Sequence, residues 1–495
     1  MICITISQES RRMALVDMLN AAMLGADLIE VRLDRFEKDA NLAELMTAKK
    51  KPILFACKRQ QDGGQWEGTE DERTMLLRSA VMAKADYVDI ELDAADSVRP
   101  FPTYKRVISY TNLETTPKDL AAIYAEMQTK KPDVIKLTCK ASTPEEAWPL
   151  IQILNKPAVP TVVVGLGDSG LMLSLLGRKI GAPWATAALE KGMEAYPGQA
   201  TVRELDEFYR YRDIGKPTRF VGVTGEGERP KLLAGLLNSA FVKLELPLRV
   251  LPLQVGNLKL FRKIIDAVRL QGVLLDDSAN EGMHEIAAYD DSTKMPVASA
   301  DSLFPVEGGW NASNLLGQTV VNALDAMLKE RGNPEGLKGR SVMLAGVGPL
   351  TKMMVTALKK AGAMLMWASK NKEAVAGAAA TFGGRQLLWE AVYNTSHDVL
   401  IIGRDGSRKI TDDIGEEETT LHPGYLKPGM CVVDLLSGLI PSKFLQEAKI
   451  RRCGVVSPRR LMIEQVREAV RRLSDLEIAV EPLEETLTNW IGDEE

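Results

Sequence analysis

The strongest constraint on how this chain can fold is a rhythm in its first 213 residues. Eight short β-branched or apolar runs recur there: ICIT (2–5), LIEVR (28–32), PILFA (52–56), YVDIEL (87–92), RVISY (106–110), DVIKL (133–137), TVVVG (161–165) and APWAT (182–186). Stretches of helical period separate them, such as DERTMLLRSAVMAKA and PEEAWPLIQIL. Eight strand–helix units in a row predict a (β/α)8 barrel, whose chemistry sits at the C-terminal ends of the strands.

The rhythm breaks at IGKPTRF (214–220), and the chain of 495 residues is too long for one core. RFVGVTG (219–225) opens a second α/β region, and KERGNPEGLKGR (329–340) marks another break. SVMLAGVG (341–348) then reads as a strand entering a glycine turn, with TKMMVTALKKAG as the helix behind it. LMWAS (365–369), DVLIIG (398–403) and MCVVDLL (430–436) continue as strands. That is the opening of a Rossmann-like unit. PRRLMIEQVREAVRRL (458–473) reads as an amphipathic helix. The expected division is a barrel over 1–214, a second α/β domain over 218–330, a Rossmann-like domain over 331–460, and a C-terminal helix and tail over 461–495.

Net charge is −5, which gives no electrostatic case for nucleic acid or an anionic membrane as partner. No apolar run reaches the length of a membrane span, and MICITISQESRRMALV lacks the pattern of a signal peptide. The five cysteines are scattered without a CxxC pair, so no metal or disulfide framework is expected. A cytoplasmic protein acting on a small molecule follows by default, with a homo-oligomer left open. The three histidines are His284, His397 and His422, so the first 283 residues contain none.

The barrel segment resembles class I 3-dehydroquinate dehydratase. IEVRLDRFE (29–37), ILFACKRQQDGGQWEG (53–68), ISYTNLETTP (108–117), DVIKLTCKA (133–141), GLGDSGLMLSLLG (165–177) and AYPGQATV (195–202) carry the resemblance, in the family's order. It implies an amine that forms an imine with a ketone, the imine acting as electron sink for loss of a proton and of water. Lys136 occupies the imine-forming position. In a dry barrel mouth its pKa is expected to be lowered, leaving a nucleophilic amine; taken alone, a strand-end lysine reads as a solvent-directed one. Glu30, Arg32, Lys58 and Gln199 stand at substrate-binding positions. The departures are marked. Thr111 stands where the family keeps its general acid/base histidine, and threonine does not titrate near neutral pH. Lys58 replaces an arginine and loses its two-pronged grip on a carboxylate. Asp62 replaces a glutamate, Ser174 an arginine and Ala195 a serine.

Residues 219–470 resemble shikimate dehydrogenase. VGVTGEGERPKLLAGLLNSAF (221–241), GVLLDDSAN (272–280) and GWNASNLLG (309–317) carry the likeness. Asn311 and Gln465 stand at substrate-contact positions. Lys231 and Leu233 replace two serines, and Asn280 and Ser313 replace the lysine and aspartate that shuttle the proton as hydride moves. In AGVGPLTK (345–352), Gly346, Gly348 and Thr351 form the cofactor turn. Lys370, with no carboxylate beside it for a free ribose, points to NADP over NAD.

The chain thus resembles a fused dehydratase and dehydrogenase of aromatic amino-acid biosynthesis. Two readings stay open, with a third between them in which the barrel still forms an imine, on a different keto substrate and with a different base. In one, the barrel dehydrates 3-dehydroquinate through Lys136 and the second half is without turnover. In the other, the whole is a repurposed pseudoenzyme that binds a ligand or serves as scaffold.

Overall fold

The computed structural model describes residues 1–37, 40–276, 282–289, 300–403, 421–436 and 439–492. The chain packs as two units, Met1–Arg219 with Leu251–Val268, and Phe220–Val250 with Arg269–Glu495.

The first unit is built on β1 (Ile2–Ile6), β2 (Leu28–Arg32), β3 (Ile53–Ala56), β4 (Tyr87–Glu91), β5 (Lys105–Asn112), β6 (Val134–Lys140), β7 (Thr161–Leu166) and β8 (Ala185–Ala187). Their order is β7-β6-β5-β4-β3-β2-β1-β8, with parallel neighbours throughout. The two outer strands, β7 and β8, also touch, so the sheet curls into a nearly closed barrel, as the eight runs predict. The last strand starts later than its run, at Ala185, and the Pro183 carbonyl just before it accepts a hydrogen bond from the Met1 amino group at 3.0 Å. Helix starts follow cap chemistry. Thr69 and Glu72 form a reciprocal capping box before Glu70–Met82, and Thr143 caps Pro144–Asn155 with proline in the first turn.

Side-chain alternation sorts the lumen into layers. Nearest the N-terminal ends, Cys3, Leu28, Leu54, Tyr87, Val107, Val134, Val162 and Trp184 form an apolar floor, with Tyr87 and Trp184 edge to face at 5.4 Å. Two residues further along the strands the lumen turns polar, with Thr5, Glu30, Asp89, Ser109 and Lys136. The chemistry therefore stands on a dry base, above the floor and toward the C-terminal ends.

A six-stranded sheet has the order β10-β9-β11-β13-β14-β12, from β9 (Arg219–Thr224), β10 (Leu248–Leu253), β11 (Val273–Leu274), β12 (Ala288–Tyr289), β13 (Ser302–Val306) and β14 (Gly309–Ser313). It is mixed: β13 runs antiparallel to both β11 and β14. The other sheet comprises β15 (Ser341–Ala345), β16 (Met364–Ser369), β17 (Arg385–Leu388), β18 (Val399–Ile402), β19 (Cys431–Asp434) and β20 (Gly454–Val456). It is parallel in the order β17-β16-β15-β18-β19-β20. Read from its first strand, that is the doubly wound order 3-2-1-4-5-6. Val342 and Leu344 feed one core while Met343 and Ala345 feed the other, so both faces of β15 are covered. Among the described residues, no helix is long and apolar enough to cross a membrane.

Candidate active site

Lys136 projects from the middle of β6 into the lumen. Its Nζ donates to Glu30 Oε1 at 2.7 Å and to Asp89 Oδ2 at 3.2 Å. The second oxygen of Glu30 accepts from Thr5 Oγ1 at 2.9 Å. Asp89 uses its other oxygen on Lys58, whose Nζ lies 2.7 Å from Oδ1. One carboxylate thus bridges two ammonium groups. Lys58 also donates to Ser109 Oγ at 2.8 Å and meets Glu91 Oε1 at 2.9 Å, an ion pair without hydrogen-bond alignment. Arg73, fully buried, donates to Glu91 at 2.6 Å and to the Cys57 carbonyl at 2.7 Å, and carries the network on to the half-exposed Glu70 at 2.9 and 2.6 Å. Arg32 forks onto Asp34 at 2.9 and 2.8 Å, and Asp34 in turn accepts from the backbone N–H of Lys58 and of Gln65. Four carboxylates (Glu30, Asp34, Asp89, Glu91) stand against four cations (Arg32, Lys58, Arg73, Lys136), all largely buried.

That balance reverses one expectation from sequence. Burial by itself pulls the Lys136 ammonium down, as foreseen, but Glu30 and Asp89 outweigh it and hold its pKa above the ordinary lysine value. Lys58 is raised in the same way by Asp89 and Glu91 against its own burial. The carboxylates respond in kind: burial pushes Glu30 and Asp89 up, and the lysines bring both below the usual range. Before any ligand enters, Lys136 is an ammonium clamped by two anions. It becomes a nucleophile only as a proton leaves the network.

Gln199 is buried and receives the Ala195 N–H on Oε1 at 2.7 Å, while its Nε2 has no partner. Thr111 lies on β5 on the same face as Ser109 and opposite Thr138 of β6, half-buried. Ser174 turns its hydroxyl back onto the Gly170 carbonyl at 3.1 Å, within the helix Gly170–Ile180. Asp62 pairs with Arg59 at 2.6 Å. Lys136, Glu30, Arg32 and Lys58 are therefore brought together, whereas Thr111 and Ser174 add no charge to them.

Asp89 and Glu91 are the participants that the sequence reading passed over. YVDIEL was read only as a strand, yet two acids at alternate positions of a buried strand must share one face. Arg73 lay likewise unremarked within an amphipathic helix. A cavity of about 220 Å³ opens at the other end of the barrel, lined by Leu154, Pro157, Ile180 and neighbours without a charged side chain; it is remote from this chemistry. Among the described residues no cluster of His, Cys, Asp and Glu has the geometry to hold a metal.

In the second unit, Gly346 turns with φ +102° after β15, and Gly348 leads into the short helix Pro349–Met353. Thr351 is fully buried, and its hydroxyl lies 3.0 Å from both the Gly346 and Gly348 carbonyl oxygens. It braces the turn from inside. Pro349 lacks an N–H, so this cradle offers one donor fewer to a pyrophosphate. Lys370 is exposed just past β16, before Asn371 caps the helix Lys372–Phe382. Asn311 sits half-buried on β14 beside Phe304. Gln465 accepts from Arg229 at 3.2 Å. Leu233 is core, and Asn280 lies outside the described residues.

Residues 2–216 match the family model for Type I 3-dehydroquinase. The 3-dehydroquinate dehydratase of Methanopyrus kandleri is 31% identical over 192 residues, 38% of this chain and 87% of that protein. The chloroplastic bifunctional 3-dehydroquinate dehydratase/shikimate dehydrogenase of Arabidopsis thaliana is 26% identical over 493 residues, covering 94% of this chain and 81% of its own length. Among solved structures, dehydroquinate dehydratase and shikimate dehydrogenase from S. pombe AroM is similar at a TM-score of 0.45 and 16% identity, covering 98% of each chain.

Proposed function

Because the chain belongs, through its barrel, to the type I 3-dehydroquinase family, we propose that it dehydrates 3-dehydroquinate to 3-dehydroshikimate through a Schiff base on Lys136. The observation that carries this reading is the clamp on Lys136. An amine above an apolar floor, held by Glu30 and Asp89, sits where a ring ketone would meet it. The bound imine keeps a positive charge, so the same two carboxylates that hold the ammonium stabilise the imine that replaces it. Arg32 and Lys58, tied into the same network, and the buried Gln199, whose amide N–H has no partner, would serve as substrate contacts.

The second half is proposed as a shikimate dehydrogenase-like unit without turnover. Asn280 and Ser313 take the places of its proton-shuttling pair, and neither titrates near neutral pH. The strand order 3-2-1-4-5-6, the turn at Gly346 and the exposed Lys370 fit NADP, with a cradle thinned by Pro349. Gly346 and Gly348 would approach the pyrophosphate, Thr351 would keep the turn closed, and Lys370 would face the 2′-phosphate. Bound there, NADP would supply hydride chemistry.

The competing reading, a pseudoenzyme, draws on the raised Lys136 pKa and on Ser174, whose hydroxyl is turned back into its own helix. Borohydride reduction in the presence of 3-dehydroquinate, followed by peptide mass spectrometry, separates the two. The dehydratase reading expects a reduced adduct on Lys136; absence of an adduct with this ketone or with 3-dehydroshikimate leaves the pseudoenzyme.

A further inference from the structure

Expelling water from a carbon near an imine requires a proton for the departing oxygen. Around Lys136 few groups can give one. The first 283 residues hold no histidine. Lys58, Glu30, Asp89 and Glu91 are closed in ion pairs, and Arg32 is forked onto Asp34 by a guanidinium that does not release protons.

Tyr196 is an acid of the barrel that no ion pair holds. It comes from the segment after β8, which is pinned on both sides: Gly167 N–H donates to the Pro197 carbonyl and Ala188 N–H to the Ala200 carbonyl, each at 2.9 Å. A side chain at Gly198 would collide with the Gly167 carbonyl at 2.3 Å, so the segment sits flush on the end of β7. The Tyr196 ring packs against the apolar floor, and its hydroxyl meets Thr186 Oγ1 at 2.5 Å. Thr186 pairs in register with the lumen residue Cys3, so this contact lies inside the barrel. The charges of Lys136 and Glu30 both act on the phenol, and burial keeps its pKa above the ordinary tyrosine value, so it stays protonated until needed. Three residues on, the buried Gln199 Nε2 is a donor without an acceptor, which a ligand oxygen would satisfy.

We propose that Tyr196 is a catalytic residue of the barrel, the proton donor to the oxygen that leaves as water. This rests on Lys136 forming the imine. The C–H bond beside the imine carbon breaks, its proton passing to the Glu30 carboxylate and its electrons forming the enamine. The enamine pair then re-forms the iminium and expels the oxygen; the C–O bond breaks, the oxygen takes the phenolic proton, and water departs. Thr186 donates to the phenolate until the proton held on Glu30 returns to it through solvent. No oxidant or reductant is involved.

The test uses the full chain with 3-dehydroquinate, measuring both borohydride-trapped adduct and released 3-dehydroshikimate. Tyr196→Phe keeps the ring and its packing. It is expected to trap within about two-fold of wild type while turnover falls by about 10²-fold or more. Thr186→Val, which leaves the phenol in place, is expected to lower turnover by several-fold with the adduct intact. Tyr196→Phe turnover within three-fold of wild type overturns the proposal. So does a parallel loss of adduct and turnover, which marks a structural role. Wild-type adduct without water release overturns it as well. Absence of wild-type adduct removes the reading of Lys136 itself, and the proposal falls with it.

Discussion

Lys136 and Glu30, 106 positions apart in the chain, meet at 2.7 Å inside the barrel with less than a tenth of either side chain exposed. Neither charge is stable there without the other. Lys136→Met should therefore abolish adduct formation and also destabilise the barrel by about 3–5 kcal/mol, because Glu30 is left buried and charged. Adding Glu30→Gln should recover much of that loss without recovering the adduct. Urea denaturation of the single and double variants measures the difference; equal stability of Lys136→Met and wild type would refute the clamp.

The same pairing sets a pH window. Glu30 and Asp89 have folded pKa values below the ordinary carboxylate range, so their contribution is present above about pH 4 and is lost as pH falls through the folded values. Lys136 and Lys58 have raised values, so theirs is whole below about pH 10 and is lost as pH rises through the folded values. Thermal unfolding should show a plateau between these limits, with an acid limb that Glu30→Gln makes shallower. Adduct yield should climb toward the alkaline side of the plateau, since an imine needs the free amine.

Thr111→His places a titratable ring on the lumen face of β5, two residues beyond the Ser109 that holds Lys58. A histidine there supplies a base stronger than Glu30 for the C–H proton. Turnover of 3-dehydroquinate should rise by about 10²-fold, with a bell-shaped pH profile replacing a monotonic one. A coupled assay beside wild type reads this directly, and an unchanged rate would show that proton removal does not limit the barrel.

In the doubly wound sheet, Lys370 is the exposed cation next to the end of β16. Fluorescence titration should give tighter binding of NADPH than of NADH, and Lys370→Ala should remove about tenfold of that preference while leaving NADH unchanged. Equal binding of both cofactors by wild type would overturn the assignment of Lys370. Shikimate oxidation should be undetectable in either form.

Strand positions in the barrel were legible because a strand buried on both faces is written mostly in apolar residues, and ILFA or TVVVG have no other way to be accommodated. Lys136, Glu30 and Arg32 were legible through the motifs around them. Asp89 and Glu91 were not, since the acids in YVDIEL gain meaning only when β4 lands between β3 and β5. The direction of the Lys136 pKa was missed for the same reason. Burial can be guessed from a strand end, but the anions that override it come from β2 and β4. Thr351 carried a cofactor-turn signature, yet its hydroxyl faces inward, a matter of side-chain direction that spacing does not encode.

The equal number of buried carboxylates and cations around Lys136 governs how an anionic substrate arrives. Four carboxylates against four cations leave little field beyond the mouth, and at physiological salt what remains is screened within about 8 Å. Encounter should therefore be slow to respond to ionic strength. Selection then happens at contact: an incoming carboxylate gains a cation only by displacing one of the resident anions. The barrel screens its visitors by partner exchange, and molecules unable to take over a resident pair are turned away.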